Sequence, residues 1–174
     1  LLGNEKVKQY GSSYKPIGLL QVYGDTGQID FGLMTGTFDK NISGGVLRKN
    51  AESFSNEVNP ADGTFANVAG IVHNLDKIRI HGYYYGDGGY TSSSGDNCKY
   101  QQTGLVPSGG SGTYGKPANE GDCASWGNPM SEIYLESLRY FAGQNPTPDF
   151  EDGFASKDVD LGLTLASWSD PLDS

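Results

Sequence analysis

The stretch Ile29-Asp30-Phe31-Gly32-Leu33-Met34-Thr35-Gly36-Thr37-Phe38 decides the fold class. Side chains along a strand alternate between faces, so Ile29, Phe31, Leu33, Thr35 and Thr37 fall on one side. Asp30, Gly32, Met34, Gly36 and Phe38 fall on the other, where three small or polar residues leave room for a packed helix or a second backbone. Upstream, Pro16 suits a first helical position and Gly24 a stop, which predicts a helix over 16–23. Asp25-Thr26-Gly27-Gln28 is a turn between them. Downstream, residues 39–45 form a connection, and Val46-Leu47-Arg48 is a short strand.

Further along, Phe65, Val68, Ala69, Val72 and Leu75 recur at helical spacing, which predicts a helix over 65–75 capped by Thr64 or Asp62. Ile78 and Ile80 alternate with Arg79 and His81 as a short strand. The firmest helix runs from Pro129 to Ala142, with Asn128 as N-cap and Gly143 as stop. Tyr134, Leu138 and Phe141, flanked by Met130, Ile133 and Leu135, give it a wide apolar stripe. From about 82 to 120 lies a long loop rich in glycine, serine and tyrosine, of a length that is usually functional. From about 144 to 174 the chain reads as an extended acidic tail. This order of helices and strands is α/β, in one unit over 1–174.

Composition narrows the function. The 174 residues include 26 glycines, and with these counted the apolar content lies at the low edge of globular usage. Twelve basic residues against 21 acidic ones give a net charge of −9, which sets nucleic-acid binding aside. No apolar run reaches the roughly 18 residues of a membrane span. Leu1-Leu2 leads straight into Gly3-Asn4-Glu5-Lys6 rather than a signal sequence, so any export signal is expected to lie outside this stretch. Cys98 and Cys123 stand in loop sequence with no Cys-x-x-Cys spacing, which suggests one disulfide and an oxidising compartment over two unrelated thiols. Such a bridge is worth about 3 kcal/mol on the chain-entropy account.

No nucleophile elbow, phosphate loop or zinc-protease motif is present in the sequence. His73 and His81 read as surface and strand-edge residues rather than catalytic bases. Glu132 and Glu136, four apart, have cation-holding spacing, yet read first as the wet face of a helix, with Glu136 placed to pair with Arg139. Asp149, Glu151, Asp152, Asp158 and Asp160 supply calcium-type oxygens, against a solvated tail as the plainer reading. Tyr83, Tyr84, Tyr85 and Tyr90 offer rigid amphipathic contact area and are the ligand-contact candidates; a strand followed by a hairpin is the equal alternative. The residues alone therefore describe an exported α/β binding module sooner than an enzyme.

Three long stretches carry more. They are Tyr10-Gly-Ser-Ser-Tyr-Lys-Pro-Ile-Gly-Leu-Leu20 through Phe31-Gly-Leu-Met-Thr-Gly-Thr-Phe-Asp39 to Gly44-Gly-Val-Leu-Arg-Lys-Asn50, then Gly121 to Gly143, then Lys157-Asp158 to Trp168-Ser-Asp-Pro171. In this order they resemble the N-terminal half of the PilY/PilC family of type IV pilus tip-associated adhesins. The resemblance implies part of a von Willebrand factor A-like domain, a doubly wound α/β sheet with the long loop as an insertion. It implies a non-catalytic segment that supports surface attachment and pilus assembly. The alternatives are a scaffold linking a propeller to the pilus tip and, weakly, an extracellular hydrolase using His81. Implied partners are minor pilins or the pilus tip, a host or abiotic surface, and the remaining parts of the same polypeptide. The implied location is the bacterial cell surface, reached through the periplasm. The Asp-x-Ser-x-Ser motif of type A domains is missing, and Gly127-Asn128-Pro129 stands where a threonine loop belongs. No cofactor is therefore expected in this segment, and a divalent cation such as calcium or magnesium belongs to the complete protein if anywhere.

Overall fold

The computed structural model describes residues 6–37, 40, 43–78, 83–84, 89–90, 98–101, 104–107, 129–150 and 156–173, with backbone alone for 83–107 and for 156–157. The chain opens with a hairpin, β1 (Val7–Tyr10) against β2 (Ser13–Pro16), in the register Tyr10↔Ser13 to Val7↔Pro16. The turn between them is Gly11-Ser12, and Gly11 takes a φ of 56°, the left-handed backbone that two-residue hairpin turns demand. The hairpin claims Pro16, since the Ile17 amide donates to the Lys6 carbonyl at 3.0 Å. The first helix, α1 (Leu19–Gly24), therefore begins three residues later than the proline suggested. It ends where Gly24 meets Phe54, whose Cβ would lie 2.6 Å from any side chain added there.

The predicted strand over 29–38 is realised as β3 (Phe31–Thr35), paired antiparallel with β4 (Val46–Glu52). Val46, Leu47, Arg48 and Lys49 are all buried, so β4 is covered on both faces. A 3-10 turn at Ser55–Glu57 follows. The helical spacing over 65–75 fails in its first half. Asp62 Oδ1 accepts hydrogen bonds from the Thr64 amide and hydroxyl, Gly63 sits at φ 70°, and Phe65 bridges back to Val58. Turn chemistry holds 59–66 as a tight reversal, and α2 runs only over Ile71–Lys77. Ile78 caps α2 instead of opening a strand, and residues 79–81 lie outside the described set.

Within the long loop, two further antiparallel hairpins appear, β5 (Tyr83–Tyr84) with β6 (Gly89–Tyr90), and β7 (Cys98–Gln101) with β8 (Gly104–Pro107). The helix predicted over 129–142 is α3 (Met130–Phe141). The tail is not extended throughout, because α4 (Ser156–Leu161) interrupts it. All strand pairs among the described residues are antiparallel and two-stranded. The doubly wound sheet implied by the resemblance stays an expectation.

The core gathers Tyr10, Phe54, Val58 and Ile71, with Ile17, Leu20, Phe31, Leu33 and Val72 packed around them. A second, polar interior lies beside it. Arg48, none of it exposed, reaches Asp158 at 2.6 Å, the Thr35 hydroxyl at 2.8 Å, and the Gly36 and Thr164 carbonyls at 3.0 Å each. The Thr164 amide donates to Asn74 Oδ1 at 2.9 Å, and the Ala166 amide to the Leu47 carbonyl at 2.8 Å. The C-terminal segment is bound to β4 and α2 by these bonds.

Helix α3 packs with an unexpected face inward. Pro129, Glu136 and Tyr140 are buried and Ile133 is half-buried. Glu136 accepts from the Thr147 amide at 3.0 Å and from its hydroxyl at 2.5 Å, and Arg139 Nε lies 3.3 Å away. Gly45 lets β4 approach, since a Cβ there would stand 2.7 Å from Glu136 Cβ. The expected wet face of α3 is therefore partly its core face, and the apolar stripe points outward. Pro129 takes the N-cap place itself, with no side-chain cap, so the expected cap at Asn128 is displaced by one residue; Asn128 lies outside the described residues.

Candidate functional site

Of the ligand-contact tyrosines, Tyr83 and Tyr84 form β5 and Tyr90 ends β6, with Tyr83 opposite Tyr90 and Tyr84 opposite Gly89. The backbone thus brings three of the four onto one two-stranded unit, with β7 close beside β6. Tyr85 lies outside the described residues. Cys98 opens β7 opposite Pro107, and Cys123 lies outside the described residues.

A second feature was not foreseen. An open cleft of about 410 Å³ lies between β2 and the 58–65 reversal, lined by Tyr10, Pro16, Ile17, Val58 and Phe65, with Lys15 at its rim. Its back wall is tied together electrostatically. Tyr10 donates its hydroxyl proton to Asp25 Oδ2 at 2.5 Å, and Lys8 Nζ approaches the same oxygen at 2.8 Å while standing 5.0 Å from the Tyr10 ring centre. Burial, then the Asp25 hydrogen bond and charge, push the Tyr10 phenol up to about 12. The group is a fixed neutral donor at any physiological pH. The sequence signal for this cleft was the hairpin pattern around Gly11-Ser12, hidden by the stronger look of Pro16 as a helix start.

The remaining candidates take structural positions. His73 Nε2 donates to the Gly162 carbonyl at 3.0 Å. His81 is not among the described residues. Glu136 is spent on Thr147, and Asp158 on Arg48 and the Thr37 hydroxyl at 2.7 Å, so neither is free to hold a cation. Among the described residues no group of three or more His, Cys, Asp or Glu side chains could hold a metal ion. No helix among them is long and apolar enough to cross a membrane.

Comparison with known proteins gives a consistent answer. A family model described as the second domain of PilY1 homologs matches residues 31–174. The chain is 36% identical over 182 aligned positions to the type IV pilus biogenesis factor PilY1 homolog of Xylella fastidiosa, a match that covers 98% of this chain. It spans only 11% of that relative's length. No solved structure matches the chain. With the family model covering most of the chain and the relative covering nearly all of it, the chain belongs to the PilY1 homolog family and carries its second domain.

Proposed function

We propose that the chain is a non-catalytic segment of a type IV pilus tip-associated adhesin, supporting surface attachment and pilus assembly from outside the cell. The observation that carries this reading is the match, over 98% of this chain, to part of a pilus biogenesis factor. Its contact surface is the paired hairpin unit β5–β8 within the long loop, where the register groups Tyr83, Tyr84 and Tyr90. Tyrosine suits such a surface, because it offers a large amphipathic area with few torsions to freeze. A Cys98–Cys123 bridge pins the loop in this reading, and no cofactor is assigned to the segment. The partners are minor pilins at the tip and a host or abiotic surface.

The test replaces residues 83–118 with a short glycine linker in the full-length protein and scores attachment and pilus number separately. Loss of attachment with pili retained is the expected outcome. Attachment at the parental level would refute the contact assignment and leave a scaffold joining other parts to the pilus tip. The His73→Ala/His81→Ala double variant addresses the hydrolase alternative: full function in it ends that reading.

A further inference from the structure

Helix α3 has a packed face and a separate apolar face, and the described structure covers only the first. Pro129, Ile133, Glu136 and Tyr140 recur at i, i+4, i+7 and i+11 and pack inward on β3, β4 and the C-terminal segment. Met130, Tyr134, Leu138 and Phe141 recur at i, i+4, i+8 and i+11, centred about 130° further round at 3.6 residues per turn. These four are 62%, 65%, 48% and 55% exposed. Leu135, 52% exposed, widens the patch. Arg139 is turned aside to the Asn145 carbonyl at 2.7 Å, which leaves the stripe itself without charge. A helix with one face packed and a second, apolar stripe about 130° away has the pattern of an element covered on two sides, not of a surface helix.

We infer that the outer face of α3 is an intramolecular interface, covered by a part of the same polypeptide outside residues 1–174. Two observations select this occupant over a transient partner. The chain is 11% of the length of its relative, so nearly nine-tenths of such a polypeptide lies outside it. The patch is also made of Met, Tyr, Leu and Phe with no lysine or aspartate, the composition of a permanent interface core rather than of a polar, reversible one. The cover supplies apolar side chains to the face formed by Tyr134, Leu138 and Phe141, and joins the second domain to its neighbour as one packed body. This goes beyond the adhesin reading, since it concerns a different face and does not require any surface ligand.

The experiment uses the full-length protein. Single variants Tyr134→Cys and Leu138→Cys are treated with a maleimide, with Gln144→Cys, an exposed site just past the helix, as reference. Modification is read by mass spectrometry of the peptide holding each site, so native cysteines do not interfere. Both α3 sites are expected to react at least about tenfold more slowly than the reference, at every protein concentration, as fits protection by folded structure. Equal rates at all three sites overturn the inference. Protection that disappears on dilution identifies a second copy or a separate protein as the cover and overturns it equally. Cysteine is smaller than either residue replaced, so the folding of each variant is checked by its circular dichroism and melting temperature against wild type, and each α3 site reports independently of the other.

Discussion

Removing Asp158 is the sharpest test of how this chain is held together. The Asp158→Ala substitution takes away the carboxylate that receives Arg48 Nη2 at 2.6 Å and the Thr37 hydroxyl at 2.7 Å. The guanidinium is left with none of its surface in water and three neutral acceptors, the Thr35 hydroxyl and the Gly36 and Thr164 carbonyls. Breaking a buried pair from one side costs roughly 3–5 kcal/mol, and the three remaining acceptors place this case near the lower end, about 3 kcal/mol. With a urea slope of about 2 kcal/mol/M, the midpoint falls by about 1.5 M. Arg48→Met alone leaves the Asp158 carboxylate buried without its cation and costs at least as much. The double variant Arg48→Met/Asp158→Ala removes both charges and orphans only neutral groups, at about 1 kcal/mol each after relaxation. Urea unfolding followed by circular dichroism, carried through the four-variant cycle, measures the coupling. A double variant as unstable as the sum of the two singles refutes the buried pair, as does an Asp158→Ala midpoint equal to wild type.

Other sites give independent checks. At Gly70 an added Cβ would lie 2.2 Å from Glu57 Cδ, so Gly70→Ala is expected to cost about 2 kcal/mol in thermal unfolding by overpacking, and a neutral result removes the clamp at α2. Glu57→Ala leaves the Ile71 and Val72 amides, both now 2.9 Å from its oxygens, without acceptors, and should lower stability by about 2 kcal/mol. Thr147→Val strips Glu136 of its hydroxyl donor and is expected to cost about 1–2 kcal/mol, read as a lower melting temperature. Tyr10 holds its proton up to about 12 when folded against 10.0 when free, because burial and Asp25 both oppose the phenolate. Its contribution is therefore intact below pH 10 and lost as the pH rises toward 12, and Tyr10→Phe should flatten that part of the stability curve relative to wild type.

The sequence made some of this legible and hid the rest for identifiable reasons. Pro129 and Gly143 punctuate α3 so strongly that its bounds emerge to within a residue, and Gly143 does take a left-handed φ of 62°. Which side of α3 faces inward was not readable, because the decision lies with Thr147, eleven residues on, whose amide and hydroxyl make a buried Glu136 tolerable. Periodicity counts apolar stripes and cannot see a distant donor. At 65–70 the apolar spacing pointed to helix, and the Asp62–Thr64 bond with the left-handed Gly63 won locally. Pro16 fitted a helix start and a strand end equally well, and the Lys6–Ile17 bond chose the strand. Arg48 and Asp158 stand 110 residues apart, beyond any spacing rule. The cleft at Tyr10 went unseen for the same reason as β2, since it exists only once the hairpin does.

The buried carboxylates have a common logic. Two-stranded units are marginal by themselves in water, and every sheet among the described residues has two strands. Cross-strand bonding therefore cannot fix how the segments meet. Glu57 joins the 3-10 turn to the start of α2, Glu136 joins α3 to the turn at Thr147, and Asp158 joins α4 to β4 through Arg48. Each acid binds two segments that share no ladder, and each accepts at least two donors, which is the condition for a buried charge to be tolerated. Apolar packing is permissive about register, whereas a carboxylate held by two donors accepts one arrangement. If specificity is what these acids supply, replacing one by an isosteric amide should loosen the fold more than it lowers its melting point. Glu136→Gln keeps the volume and offers a single carbonyl oxygen where two carboxylate oxygens now receive the Thr147 amide and hydroxyl. The turn at 145–148 should then gain amide exchange while β4 stays protected. Uniform loosening of both would mean the acids act through global stability alone.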